Sequence, residues 1–423
     1  MIAKSLKYQA MSGSIKYYGM GEQLKMTPLD ILIVGGGMYV TGRGAPDYQG
    51  TILPAVLEAR RAGLVGRIAI TTTRLESAEI ARSKAVELAD KMGVGKDIEV
   101  FPKSGNNIEI YNAETLPVKA AKIFEPDAVI VSIPDHLHAQ VCIPLIQSGK
   151  HCLVVKPMAA KMEDAKAMAD AARKAGVVAE VEFHKRLDQS NLLFREAVCN
   201  GDLGHLLYAT IEYSQRKSVP RDTLRSWAEN SNIFQYLGVH YVDLLSWATG
   251  FKPHRVTTWG QKSYLRSNGV DTWDAMQTVI EWRQPNDTSF ISTHISNWID
   301  PDNNSALSDQ KINVVGTLGR FQADQKNRGV QTVRDKNGVR DLNPYFTTEW
   351  IDDLTGNSTF QGYGVDSVIQ FIRDITAFRN GIVSLSDLDR VRPSFQNCLI
   401  STAVIDASNA SLRASNAPIE VKL

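Results

Sequence analysis

Leu29-Asp30-Ile31-Leu32-Ile33-Val34 runs directly into Gly35-Gly36-Gly37. A short apolar run closed by glycine reads as a strand buried on both faces, the kind found in parallel sheets. Parallel strands need crossovers, and the chain supplies them. Helical segments are expected over 50–63, 77–93, 138–149 and 161–175. Between them fall apolar strands at 67–72, 98–101, 128–133, 151–155 and 177–183. Strands alternating with helices predict an α/β, doubly wound parallel sheet of the Rossmann kind.

After about residue 185 the texture changes. Strands are expected at 206–214, 254–261, 275–283, 288–297, 310–315 and 319–323, with alternation or hairpin-like breaks. This pattern predicts an α+β domain built on a large, mostly antiparallel open sheet. Residues 325–360 are polar and read as a loop, and 364–380 and 390–412 as closing helices. The 423 residues divide into an arm (1–28), a dinucleotide-binding domain (29–157, with crossover elements to about 185) and a larger domain (158–423). The arm is either partly disordered or packed on a neighbouring subunit.

Lys plus Arg is 47 and Asp plus Glu is 46, a net charge of +1, so nothing draws the chain to nucleic acid or an anionic membrane. No apolar run is long enough to span a bilayer. Cys142, Cys152, Cys199 and Cys398 form no CxxC pair and read as reduced thiols of a cytoplasmic protein.

The turn after the first strand is Val34-Gly35-Gly36-Gly37-Met38-Tyr39-Val40. Glycine there lets the backbone approach a pyrophosphate, so Gly35, Gly37 and Met38 are candidate cofactor residues. Val40 holds the third fingerprint position, and 41–49 read as an insertion before the helix. The second strand ends Thr71-Thr72-Thr73-Arg74, without the acid that binds the ribose of NAD. Thr72 and Arg74 therefore join the cofactor set. Arg74 suits a 2′-phosphate, which tilts the choice between NAD and NADP towards NADP.

Ile133-Pro134-Asp135-His136-Leu137-His138, Gly149-Lys150-His151-Cys152-Leu153-Val154-Val155-Lys156-Pro157 and Gln235-Tyr236-Leu237-Gly238-Val239-His240-Tyr241-Val242-Asp243 carry a family resemblance. Lys185-Arg186 and Val315-Gly316-Thr317-Leu318-Gly319-Arg320 extend it. Together they resemble the glucose–fructose oxidoreductase / inositol dehydrogenase / rhizopine-catabolism family of NAD(P)-dependent oxidoreductases, from residue 29 to the C-terminus. The resemblance implies that Lys156 lies between nicotinamide and substrate, with Val155 where the family has Glu. It implies that His240 takes the hydroxyl proton, with Tyr236 where sugar and polyol dehydrogenases have Asp. Pro134, His138 and Arg186 inherit places near the cofactor, and Asp243 a place on the His240 face. It also implies a homodimer or homotetramer paired through the open sheet.

Lys156, His240 and Tyr236 are thus the catalytic candidates. His184 and Asn297 join Lys156, Tyr236 and His240 as substrate candidates. Glu180, Glu182 and His184 alternate along one strand and read as a polar pocket wall. His136 and His138 lack further ligands for a metal, so no metal site is expected. The function implied is hydride transfer between a nicotinamide cofactor and a hydroxyl carbon of a sugar, polyol or glycoside. A redox-assisted glycosidase and a non-catalytic NAD(P)-sensing regulator are the alternatives.

Overall fold

The structure, a computed structural model, describes residues 27–44, 48–103, 114–284, 288–336 and 338–423. The expected N-terminal arm therefore lies, up to residue 26, outside the described residues.

The first sheet contains β1 (Leu29–Val34), β2 (Val65–Thr71), β3 (Ile98–Phe101), β4 (Ala128–Val131), β5 (His151–Val155) and β6 (Ala179–Glu182). Their spatial order is β3-β2-β1-β4-β5-β6, and every pair is parallel. The connections carry α1 (Met38–Thr41), α2 (Ile52–Arg61), α3 (Leu75–Lys91), α4 (Leu116–Phe124), α5 (His138–Gln147) and α6 (Met162–Ala175). Helices on both faces bury the strands, which is why β1 and β4 are almost wholly apolar. The strand order reverses between β1 and β4, so a crevice opens above their carboxyl ends. Gly35 sits at that point with φ +111°, and a Cβ there would stand 2.1 Å from the Ser132 carbonyl oxygen. Only glycine lets the two chains leave the sheet this close together.

After α7 (Gln189–Cys199) comes the second sheet. It comprises β7 (Leu206–Arg216), β8 (Lys252–Gln261), β9 (Ala275–Arg283), β10 (Ser289–Asp300), β11 (Ser308–Gly316) and β12 (Arg320–Asp324). Helix α8 (Val239–Thr249) separates β7 from β8, and the short α9 (Tyr264–Ser267) separates β8 from β9. All neighbouring strands are antiparallel except β7 and β10, which run parallel.

The stretch 325–360 is not the loop its polarity predicts. It folds into two hairpins, β13 (Val330–Arg334) with β14 (Gly338–Leu342) and β15 (Thr348–Ile351) with β16 (Ser358–Gln361). Their strands are short and mostly exposed, so they carry no apolar alternation to read. Three helices close the chain, α10 (Tyr363–Arg379), α11 (Leu385–Val391) and α12 (Phe395–Arg413), before the edge strand β17 (Ile419–Glu420).

These helices return to the first sheet. Val368, Phe371, Ile372 and Ile375 of α10 are buried in one core with Leu53, Val56 and Leu57 of α2. Phe395 and Cys398 of α12 join the α5–α6 side of that sheet, while Val404 and Ala407 join the core under the second sheet. The C-terminal segment thus ties the two sheets together. Replacing Phe371 by Ala is expected to cost about 3–5 kcal/mol. Urea unfolding measures it, and a loss under about 1 kcal/mol would contradict burial of this ring in the dinucleotide-domain core.

Candidate active site

A cavity of about 930 Å³ runs from the glycine turn after β1 to the second sheet. One end is walled by the carboxyl ends of β1, β2, β4 and β5. The other is walled by α8, by β7 and β11, and by the 341–346 stretch of the two-hairpin excursion.

At the first end, Gly35, Gly37, Met38, Thr72 and Pro134 all line the cavity. Gly36 backs against Thr72, where a Cβ would come within 2.8 Å of Cγ2. A Cβ on Gly37 would meet nothing within 4 Å, so the backbone here faces open space. Val40, in the third fingerprint position, is fully buried in the core instead. This cradle fits a dinucleotide, whose pyrophosphate needs close backbone approach. At the end of β2 the cation on the wall is Arg43, whose Nη1 donates to Ser77 Oγ at 2.8 Å. Arg74 is exposed at the start of α3 and is not on the wall.

At the second end stands Lys156, followed by a cis peptide to Pro157. Its Nζ donates to the Tyr236 carbonyl at 2.5 Å and lies 3.8 Å from the centroid of the Tyr236 ring. Burial pulls the ammonium down to about 8, while Glu182 and Asp135 resist that shift. Tyr236 is wedged between Trp227 and Trp298, with ring centroids 5.8 and 5.7 Å away. Burial, with Asp135 nearby, pushes its phenol up to about 12, so it stays protonated near neutrality. A π-helical turn over Phe234–Gly238 leads into α8 and sets both Tyr236 and His240 on the cavity wall.

His240 packs 4.7 Å from His184, centroid to centroid. Burial, then His184, Lys156 and Lys185, hold His240 well below its ordinary value, so it is neutral at pH 7. His184 Nδ1 lies 2.9 Å from Glu182 Oε1. Lys185 also lines the cavity, where it donates to the side-chain carbonyls of Gln310 and Gln325. Burial brings it down to about 7. Asp135 receives bonds from Ser231 Oγ and Gln235 Nε2, both at 2.8 Å, and its other oxygen has no hydrogen-bond partner among the described residues, with His136 Nδ1 at 4.0 Å.

Nine expected residues therefore line one cavity: Gly35, Gly37, Met38, Thr72, Pro134, Lys156, His184, Tyr236 and His240. Four others do not. Arg74 points to solvent. His138 is buried 2.9 Å from the Pro157 carbonyl and 3.0 Å from that of Ile133, clamping the two loops that carry Lys156 and Pro134. Arg186 makes a two-pronged ion pair with Asp243, at 2.8 and 2.6 Å, behind the wall. That pairing turns Asp243 away from the cavity as well, although it shares a helix with His240. Asn297 lies along β10, bonded to the Ile299 N–H. Of the alternating acids, Glu182 reaches the cavity, whereas Glu180 faces a separate cavity of about 220 Å³. Arg43, Tyr39, Asp135, Phe346 and Tyr363 were not singled out as site residues, since only the folded chain brings them to the wall. Tyr39 lies within the fingerprint turn and Arg43 just after it, and their position there was the one available signal. No cluster of three metal-ligating side chains occurs among the described residues.

A doubly wound sheet with a glycine cradle at its switch point, joined to a second sheet across one cavity, defines a dinucleotide-binding protein of two sheets. The family model for the oxidoreductase family, NAD-binding Rossmann fold (GFO/IDH/MocA), matches residues 30–183, and that for the GFO/IDH/MocA C-terminal domain matches residues 192–322. The chain belongs to the GFO/IDH/MocA family.

It is similar to levoglucosan dehydrogenase of Pseudarthrobacter phenanthrenivorans, with 30% identity over 159 residues, 35% of this chain and 41% of that one. D-Glucoside 3-dehydrogenase of Escherichia coli is 26% identical over 239 residues, 55% of this chain and 57% of the relative. The matched stretches thus span less than two thirds of either relative. Among solved structures, WlbA dehydrogenase from Bordetella pertussis, in complex with NADH and UDP-GlcNAcA, shares the fold. Its TM-score is 0.66 at 19% identity, covering 94% of this chain and 100% of that one.

Two outcomes follow from the geometry. Gly35→Ala is expected to weaken dinucleotide binding at least about tenfold, because the added methyl collides with the Ser132 carbonyl; fluorescence titration measures it, and unchanged affinity contradicts the cradle. A lysine whose folded value is lowered destabilises the fold below that value, and the penalty fades as pH rises from about 8 towards its unfolded value. Lys156→Met is therefore expected to raise the midpoint of thermal unfolding at pH 7, with the gain shrinking by pH 10. A lower midpoint at pH 7 would contradict the buried ammonium.

Proposed function

We propose that the protein is an NAD(P)-dependent oxidoreductase moving a hydride between a nicotinamide cofactor and a hydroxyl carbon of a sugar, polyol or glycoside. The observation that carries this reading is the meeting of Lys156 with the His184–His240 pair where the cradle's cavity opens towards the second sheet. The cofactor, when bound, supplies the hydride acceptor. Lys156 grips the reacting hydroxyl, and its charge stabilises the alkoxide that develops. The Tyr236 carbonyl holds the ammonium in place. The imidazole pair, with His240 in the family's histidine position, receives the hydroxyl proton near neutral pH. Trp227 and Tyr236 offer flat apolar faces against a sugar ring. The names of the dehydrogenases it is similar to support the same substrate class. Neither a glycosidase nor a regulator finds support in those names.

The cofactor is read as NADP, with Arg43 rather than Arg74 beside the 2′-phosphate. Arg43, Ser77 and Thr73 line the cavity at the end of β2. Two copies are read as pairing through the outer face of the second sheet, where Trp259 and Ile295 flank Gln277 in one cross-strand row and are 44% and 40% exposed. No helix among the described residues is long and apolar enough to cross a membrane. The four free cysteines agree with a cytoplasmic setting.

The test is nucleotide reduction, followed by absorbance, across a panel of sugars, polyols and glycosides. Lys156→Ala and His240→Ala are each expected to lower turnover by about 100-fold or more on an active substrate. Full turnover in both would overturn the site. Arg43→Ala is expected to weaken NADP binding at least about tenfold while sparing NAD; equal losses for both would contradict the 2′-phosphate assignment.

A further inference from the structure

The cavity holds two imidazoles that differ in what surrounds them. His184 Nδ1 lies 2.9 and 3.1 Å from the two oxygens of the Glu182 carboxylate. That carboxylate is 2% exposed and accepts a bond from Ser367 Oγ at 2.7 Å. The Tyr39 hydroxyl lies 3.2 Å from the same ring nitrogen. Phe346 and Tyr363 pack on the His184 ring with centroids 5.2 and 5.6 Å away, so its plane is held. A carboxylate on Nδ1 selects the Nδ1–H tautomer and leaves Nε2 to accept a proton in the cavity that the ring lines.

His240 has no such carboxylate beside its Nδ1 among the described residues. Its Nδ1 is buried without a hydrogen-bond partner among the described residues. Phe183 packs edge-on against it at 5.9 Å. The charged neighbours acting on it, Lys156, Lys185 and His184, are all cationic when protonated. A proton on His240 would meet burial and like charge; a proton on His184 meets a carboxylate.

We propose that His184, backed by Glu182, is the residue that takes the hydroxyl proton, and that His240 positions the substrate beside it. The proposal rests on the dehydrogenase reading above. The missing carboxylate at position 236 is replaced from β6, where Glu182 serves His184 in place of an acid serving His240. In the oxidative direction the substrate O–H bond breaks and its proton passes to His184 Nε2. The C–H electron pair leaves as hydride to the oxidised nicotinamide dinucleotide, and the C=O bond forms. Charge on the new imidazolium is met by Glu182, which Ser367 holds in place. The titratable groups facing His184 are Glu182 from β6, Tyr39 from α1, His240 from α8 and Tyr363 from α10, with Lys156 and Lys185 acting on the neighbouring His240.

The experiment compares His184→Asn, Glu182→Gln and His240→Asn in the full chain, using the nucleotide and a sugar active in the panel. His184→Asn is expected to lower kcat about 100-fold or more with KM within a few fold. Glu182→Gln is expected to lower kcat about tenfold or more and to move the acid limb of kcat/KM to lower pH. His240→Asn is expected to lower turnover and leave that limb in place. Nitrogen-15 NMR of the histidines in nucleotide-free protein gives a readout independent of turnover. The signal lost in His184→Asn should show the Nδ1–H tautomer. A His184→Asn enzyme within about threefold of the original kcat, an Nε2–H tautomer, or a limb unmoved by Glu182→Gln would overturn the assignment alone. A panel in which no substrate reduces nucleotide would overturn the dehydrogenase reading, and this assignment with it.

Discussion

The hydrogen bond from Lys156 Nζ to the Tyr236 carbonyl joins the end of β5 to the turn ahead of α8. It is the point at which the dinucleotide-binding half and the second half of the chain share one functional group. Desolvation there disfavours the ammonium, and the shift of its pKa towards neutrality records that cost. A lysine kept in such a place must be held charged by its surroundings. The carbonyl, the face of the Tyr236 ring, and the fields of Glu182 and Asp135 do this. The surrounding structure serves to keep those groups in register. His138 clamps the loops on either side, and the Arg186–Asp243 pair locks α8 against the turn after β6.

The two departures from the family pattern are linked by this electrostatic picture. Val155 and Tyr236 remove two acids that the resemblance leads one to expect. A cavity containing Lys156 and Lys185 still needs negative charge. Glu182 and Asp135 provide it from β6 and from the turn after β4. Tyr236, neutral and flanked by two tryptophans, contributes surface and a backbone acceptor instead of charge.

Much of the fold was legible locally. Buried parallel strands are apolar along their whole length, so β1, β4 and β5 announce themselves, and the Gly35–Gly37 turn marks the switch point. Lys156 and His240 were legible because they sit within recognisable stretches. The hairpins at 330–361 were not, since strands exposed on both faces carry no hydrophobic period. Arg74, the arginine expected beside the cofactor, is exposed and Arg43 lines the cavity, because spacing along the chain says nothing about which arginine bends over the crevice. Glu180 and Glu182 looked equivalent by alternation, yet a 3₁₀ turn begins at His184 and only Glu182 is drawn to the cavity.

The sequence by itself determined the class of the first sheet and the place of the nucleotide cradle. These depend on patterns within a few residues: burial on two faces and backbone room at a glycine. Tertiary structure alone decided which side chains share a cavity with Lys156. Residues from β6, α8, the hairpins and α10 line it from far apart in the chain. Whether a histidine there is backed by a carboxylate or left among cations depends on distances that no local pattern encodes.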